Sequence, residues 1–250
     1  MFSPKNNDII KISNKPELIP IINKLERLFV GKVNVYVDFA NVRPWSEKLG
    51  WHVSAHRVSR FLKSFNNIDS IKWYQGELIG DQTSESEIKK LEGNKKIILR
   101  TKPVKIMRIS IDATSVSKDS PDLLRKFIRK SLLRKYDLDT IESLNEKFSV
   151  MNQRGEYFIE DRKCNFDVEI GTDIRVDHLR DGVDTFVLWS GDSDFYDPIK
   201  TLLDEKKKVI LFSTSGRIAR ELNDLVKEGL FIFDISDLKE FICWKRERAI

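Results

Sequence analysis

Cysteine, histidine and long apolar runs are all scarce in this chain, and each shortage closes off a class of protein. Only Cys164 and Cys243 occur among 250 residues. They form no Cys-x-x-Cys pair and no His/Cys spacing that would hold zinc, so both read as small buried hydrophobes in a reducing compartment. The three histidines, His52, His56 and His178, read as surface or structural residues. The longest apolar stretches are strand-sized, well short of the ~20 residues that a membrane span needs. Residues 1–15 contain no apolar stretch of the kind a signal peptide carries. A soluble, cytoplasmic protein is the expectation. Neither G-x-x-x-x-G-K-[ST] nor G-x-G-x-x-G is present, which argues against the common phosphate-cradling nucleotide folds.

What is there is charge. Lys plus Arg total 44 against 39 Asp plus Glu, a formal balance of +5. With 33% charged and 40% apolar residues, the chain can bury a core and stay soluble, as one large domain or two small ones. A small basic excess is informative only if it is clustered.

The hydrophobic pattern supplies the elements. Pro16 opens a helical periodicity through Leu18, Ile22, Leu25 and Leu28. Strands are expected at 33–37, 68–74, 97–99 (continuing over 104–111), 185–189, 209–212 and 230–233. Helices are expected at 53–65, 84–91, 138–148, 167–179, 195–203, 218–226 and 238–244. A loop containing Pro44 follows the first strand. Ser120-Pro121-Asp122 is a helix start, with Leu123, Leu124, Phe127, Ile128 and Leu132 on one face. The strand–helix alternation from residue 185 onward is that of βαβ units, a parallel sheet with helices on both faces.

In open α/β sheets ligands bind beyond the carboxyl ends of the strands. The first strand ends on Asp38, with Asn41 three residues on. The strand 185–189 leads into Ser190-Gly191-Asp192-Ser193-Asp194, and Asp167, Glu169 and Asp173 lie at the start of the preceding helix. Three carboxylate clusters at one sheet edge would repel and raise one another's pKa. A hard divalent cation, Mg²⁺ or Mn²⁺, resolves that repulsion.

These residues resemble the NYN domain family, the LabA-like branch of the PIN nuclease superfamily. Val35 to Asn41 looks like its opening strand and D-x-x-N motif. Phe166 to Asp173 resembles its V-D-V-x-x-x-x-D helix, and Trp189 to Phe195 its S-G-D-S-D-F signature. Thr101-Lys102-Pro103-Val104-Lys105 is similar to its basic T-K-P segment. Cys164 stands where many members carry Lys, and Pro198 comes one residue later than usual.

The resemblance implies a three-layer Rossmannoid, PIN-like α/β domain and a metal-dependent endoribonuclease. Residues 1–30 would be an N-terminal extension with one helix, and 31–250 the nuclease domain with a helical insertion at about 112–150. The implied catalytic set is Asp38, Asp167, Asp192 and Asp194, which would bind Mg²⁺ or Mn²⁺, with Asn41 as a polar neighbour. Ser190 and Asp173 would support them from behind, since six residues turn a helix by ~240° and carry Asp173 away from Asp167. Metal-assisted attack by water, with one or two ions, would leave a 5′-phosphate and a 3′-hydroxyl.

RNA, single-stranded or structured, is the expected partner, and a homo-oligomer is compatible with the sequence. Residues 119–135 hold six basic and two acidic residues, and a helix there would align Arg125, Lys126, Arg129, Lys130 and Arg134 opposite its apolar stripe, a face able to track phosphates. Lys102 and Lys105 lie nearer the acidic motifs, and Arg217 and Arg220 start a later helix. Trp45 and Trp51 could stack on bases. A catalytically silent RNA-binding or adaptor domain is the alternative. A haloacid-dehalogenase-type phosphatase is disfavoured, because Ala40 occupies the position where its second Asp belongs.

Overall fold

Six strands pair in parallel in one central sheet, in a computed structural model that describes every residue except 43–44, 46–48, 94 and 245–250, and leaves the side chains of 161 and 162 undescribed. The chain begins with α1 (Asn7–Ser13) and α2 (Ile19–Leu28). The periodicity from Pro16 marks only the second. The first starts because the Asn6 side chain accepts from the Asp8 and Ile9 amides, a cap that satisfies otherwise orphaned N–H groups.

β1 (Val33–Asp38) and α3 (Phe39–Val42) follow. The helical turn stands where a loop is expected, and Pro44 lies outside the described residues. Next come β2 (His52–Val53), α4 (Ala55–Leu62), β3 (Ile68–Glu77), α5 (Gln82–Leu91) and β4 (Ile97–Pro103). After the second unit, described below, the chain continues as α8 (Asp167–Arg180), β7 (Thr185–Trp189), α9 (Tyr196–Asp204) and β8 (Lys208–Ser213). It ends with α10 (Arg220–Asp224), β9 (Phe231–Asp234), α11 (Lys239–Ile242) and β10 (Cys243–Trp244), the last antiparallel to β2.

Each central strand feeds both faces of the sheet. Val33, Val35 and Val37 of β1 join one apolar cluster with Phe61, Trp73, Trp189 and Phe212, while Tyr36 joins another with Ile170, Phe186, Leu188 and Leu202. That alternation produces three layers from strands that are buried throughout. Both cysteines are free, Cys243 buried and Cys164 half-buried. Among the described residues no helix is long and apolar enough to cross a membrane.

Residues Lys105–Lys163 form a separate compact unit, and Met1–Val104 with Cys164–Ile250 the other. The second unit is wider than the insertion marked by the sequence, because it takes in β5 (Lys105–Ser110) and β6 (Phe158–Lys163), an antiparallel ribbon. The expected run from 97 to 111 therefore breaks at Val104 into strands of two different sheets. Between them lie α6 (Lys130–Leu133) and α7 (Leu138–Gln153). Ile111, Ala113 and Leu123 make a small core, packed by Phe127, Phe148 and Met151.

The helix expected from Ser120 does not form. Leu124–Lys126 is one 3-10 turn, and Arg129 is extended (φ −56°, ψ 135°) before α6 begins. The break buries Leu133 and leaves Leu132 exposed, so packing on a small core overrides the periodicity. Arg125, Lys126, Arg129, Lys130 and Arg134 are all exposed, but they are divided between two turns and share no continuous helix face.

A candidate metal centre

Strand order reverses at the β1/β7 pair: β3 and β4 extend to one side, β8 and β9 to the other. At such a switch point the loops diverge and leave a crevice at the carboxyl ends of the strands. β1 delivers Asp38 into it and β7 delivers Ser190-Gly191-Asp192.

Asp38 is 6% exposed. Its Oδ2 accepts from the Ser190 hydroxyl at 3.2 Å and its Oδ1 from the Asn41 amide at 3.3 Å. Ser190, wholly buried, also accepts from the Asp192 amide at 3.4 Å, so it bridges the two strand ends. Asp192 in turn caps the 3-10 turn Ser193–Phe195, accepting from the Asp194 amide at 3.2 Å. Asp167 arrives from the first turn of α8, where the Asn165 side chain accepts from its amide at 2.7 Å.

Carboxylate oxygens of Asp167, Asp192 and Asp194 lie within 4.8 Å of one another. Asp38 stands outside that trio, yet close enough for the charges of Asp167 and Asp192 to act on it. Its pKa is pushed up to about 6, first by burial and then by those two carboxylates, against the hydrogen bonds from Asn41 and Ser190. Burial also raises Asp167, with Asp192 and Asp194 adding to the shift. This trio is a donor set suited to Mg²⁺ or Mn²⁺, hard oxygen ligands crowded at the cost of mutual repulsion.

The remaining expected site residues are dispersed. Asp173 faces away from the trio: Arg100 grips it with Nε at 2.6 Å and Nη2 at 2.7 Å, and the Tyr74 hydroxyl donates at 2.7 Å. Glu169 is ion-paired with Lys102, which holds its carboxyl below the usual range. Lys102 also donates to the Asn165 carbonyl at 3.2 Å and lies 5.0 Å over the Phe166 ring, next to Asp167 in the chain. Lys105 is exposed in the second unit. Trp45 is 2% exposed and Trp51 packs on the same core beneath the Lys239 ammonium.

Arg217 lines a cleft of about 440 Å³ with Asn41, Trp45, Asp192 and Ser193. Gly191 is needed beside it. A Cβ there would lie 1.7 Å from the Arg217 carbonyl oxygen and 3.2 Å from Ser213 Oγ, while the Gly191 carbonyl accepts from the Ala219 amide at 3.0 Å. Gly191→Ala should therefore displace the 214–219 loop and cost about 2–3 kcal/mol of stability, read as a lower urea midpoint; an unchanged midpoint would show that the loop yields freely.

Sequence reasoning missed a buried network behind the site. Asp177, 1% exposed, accepts from Asn34 at 2.7 Å and from the Tyr36 hydroxyl, and pairs with Lys72 at 2.6 Å. Lys72 also reaches Asp173 at 3.8 Å. Burial, then the Asp177 charge, drives the Tyr36 phenol far above its ordinary value. Polar residues two apart at Asn34/Tyr36 and at Lys72/Tyr74 on neighbouring strands were the available signal, matched by Asp173/Asp177 four apart on the helix. Together they clamp α8 to β1, β3 and β4, which fixes where Asp167 projects.

A parallel α/β sheet with carboxylates gathered at its switch point defines the class. Within it, the chain belongs to the NYN domain family, part of the PIN-like nuclease superfamily, whose sequence profile matches residues 102–233. That span contains Asp167, Asp192 and Asp194 and begins after Asp38. Low amplitude and bright protein LabA of Synechococcus elongatus is 33% identical over 81 residues, 32% of this chain and 41% of that protein. The chain thus matches about two fifths of that relative's length. A crystal structure of a protein of unknown function from Vibrio parahaemolyticus is similar over 85% of this chain and 96% of its own, with 16% identity and a TM-score of 0.49.

Proposed function

We propose that the protein is a metal-dependent endoribonuclease, hydrolysing RNA phosphodiesters with Mg²⁺ or Mn²⁺ held by its carboxylates. The observation that carries this reading is the convergence of Asp167, Asp192 and Asp194 within 4.8 Å, beside buried Asp38, at the switch point. Asp167, Asp192 and Asp194 would hold the ion directly, and Asp38 would do so directly or through water. When bound, the ion lowers the pKa of water and neutralises charge developing on the phosphoryl oxygens.

The residues themselves do the positioning. Ser190 holds Asp38 and the Asp192 backbone in one frame, and Asn41 lines the cleft where a phosphate oxygen would lie. Lys102 and Arg217 are the proposed backbone contacts beside the site. Exposed Lys105, Arg125, Lys126, Arg129 and Lys130 of the second unit would add sequence-independent attraction.

Labelled RNA and DNA incubated with the protein and Mn²⁺ test the reading. RNA should be cut to 5′-phosphate ends, and excess chelator should lower the rate at least a hundredfold, reversibly on adding Mn²⁺ back. Full activity in chelator, or in Asp192→Asn, would overturn the metal role. Binding without cutting would mark the protein as an adaptor.

A further inference from the structure

Acid–base pairs run as rungs along the seam between α8 and strands β3 and β4. Glu169, Asp173 and Asp177 recur four apart on the helix and so share one face, and Arg100 and Lys102 stand two apart on β4. Asp177 takes Lys72 at 2.6 Å, Asp173 takes Arg100 at 2.6 Å, and Glu169 takes Lys102. Exposure of the acid climbs along the rungs, from 1% at Asp177 through 9% at Asp173 to 33% at Glu169. Carboxylates as buried as the first two need their cations, because a lone charge there stays uncompensated. Glu169 can be hydrated without one, and an ion pair as open as its own adds little to stability.

Lys102 does not need Glu169 either. Its ammonium donates to the Asn165 carbonyl at 3.2 Å and lies 5.0 Å from the centre of the buried Phe166 ring. The Asn165 side chain in turn accepts from the Asp167 amide at 2.7 Å. Those contacts hold the cation at the start of α8, where Asp167 projects into the acidic trio. The charges of Lys102 and Asp38 also act together on the Cys164 thiol, so the ammonium stands close to the carboxylate site. Its side chain is 41% exposed, within reach of an incoming anion. Glu169 thus fills the place of an anion on a cation that is anchored without it.

We propose that Glu169 is an internal stand-in for a substrate phosphate, occupying Lys102 until RNA displaces it. The inference rests on the nuclease reading, which makes Lys102 a backbone contact, and adds a positioning residue that sets affinity by acting through Lys102. The exchange is balanced: one ion pair breaks, one forms, and the freed carboxylate turns to water. A phosphate that binds sheds its condensed counterion, while the freed Glu169 attracts a cation of its own. The contact therefore contributes less affinity, and less salt dependence, than an unpaired lysine would. Run backwards, the same exchange helps the cut strand leave.

The test is binding of a labelled single-stranded RNA in chelator, so that no cutting occurs, over a range of salt. Wild type, Glu169→Gln, Lys102→Gln and the double variant are compared. Glu169→Gln should tighten binding about two- to fivefold at low salt, the worth of one exposed ion pair. It should also steepen the slope of log affinity against log salt by ~0.7, one more counterion released from a single strand. Both gains should vanish in the Lys102→Gln background. An equal gain there would mean that Glu169 repels RNA without acting through Lys102, and no gain in either background would mean that the pair is not competed. Each result overturns the stand-in, as does a Glu169→Gln urea midpoint well below wild type, which would make the pair a structural rung. Cleavage with Mn²⁺ is scored separately. A wild type that cuts RNA while Glu169→Gln shows no gain leaves the nuclease reading intact. The full binding pattern in a protein that never cuts keeps the stand-in and overturns the nuclease reading alone.

Discussion

Asp38→Asn should make the protein more stable and far less active at once. An acid whose folded pKa is raised holds its proton more tightly in the native state. The stability this gives is complete below the unfolded pKa, close to the ordinary aspartate value of 3.8, and is lost as pH rises towards the folded value of about 6. Above pH 6 the ionised carboxylate is carried at a cost of about 3 kcal/mol. Asparagine keeps the shape and removes the charge. Denaturant unfolding in metal-free buffer should show a gain of about 2–3 kcal/mol at pH 8 and almost none at pH 4. RNA cleavage with Mn²⁺ should fall about a thousandfold, as for loss of one preorganised electrostatic group. An equal gain at both pH values would show that burial of the charge is not its cause.

The second large effect is expected away from the chemistry. Lys72→Met removes the cation that pairs with Asp177 and reaches Asp173, leaving Asp177 buried with only the neutral donors Asn34 and Tyr36. Breaking one side of a buried pair costs ~3–5 kcal/mol, because the remaining charge stays uncompensated. Adding Asp177→Asn should return most of that loss, since the charge itself is then gone and Asp173 keeps Arg100. Urea midpoints of the single and double variants decide it. A double variant no more stable than Lys72→Met would mean that Lys72 contributes by packing alone.

The parallel sheet was legible because its strands are apolar and separated by helical periodicities, and because Asp38 ends one strand and Asp192 follows another by three residues. Local pattern fails where a residue's role depends on what faces it across the fold. Asp173 follows Asp167 in the same helical motif but serves the network of Lys72, Tyr74 and Arg100. Asp177 carried no motif at all. The stripe at 123–132 reads as a helix in isolation, and a core of only a few side chains breaks it at Arg129. Residues 97–111 read as one run because nothing local shows that pairing partners change at Val104.

That change of partners makes residues 105–163 a detachable parenthesis. Lys105 and Lys163 are paired directly across the β5/β6 ribbon, so the unit begins and ends at the same place. On the other side of the cut, Val104 and Cys164 both press on Gly76, where a Cβ would come within 2.7 Å of one and 3.0 Å of the other. The two severed ends would therefore already be neighbours, close enough for a tight turn to join them. A unit hung on such a point can lengthen, shrink or be exchanged while the sheet that carries the carboxylates keeps its register. Variation in reach and partner can accumulate there without touching the chemistry.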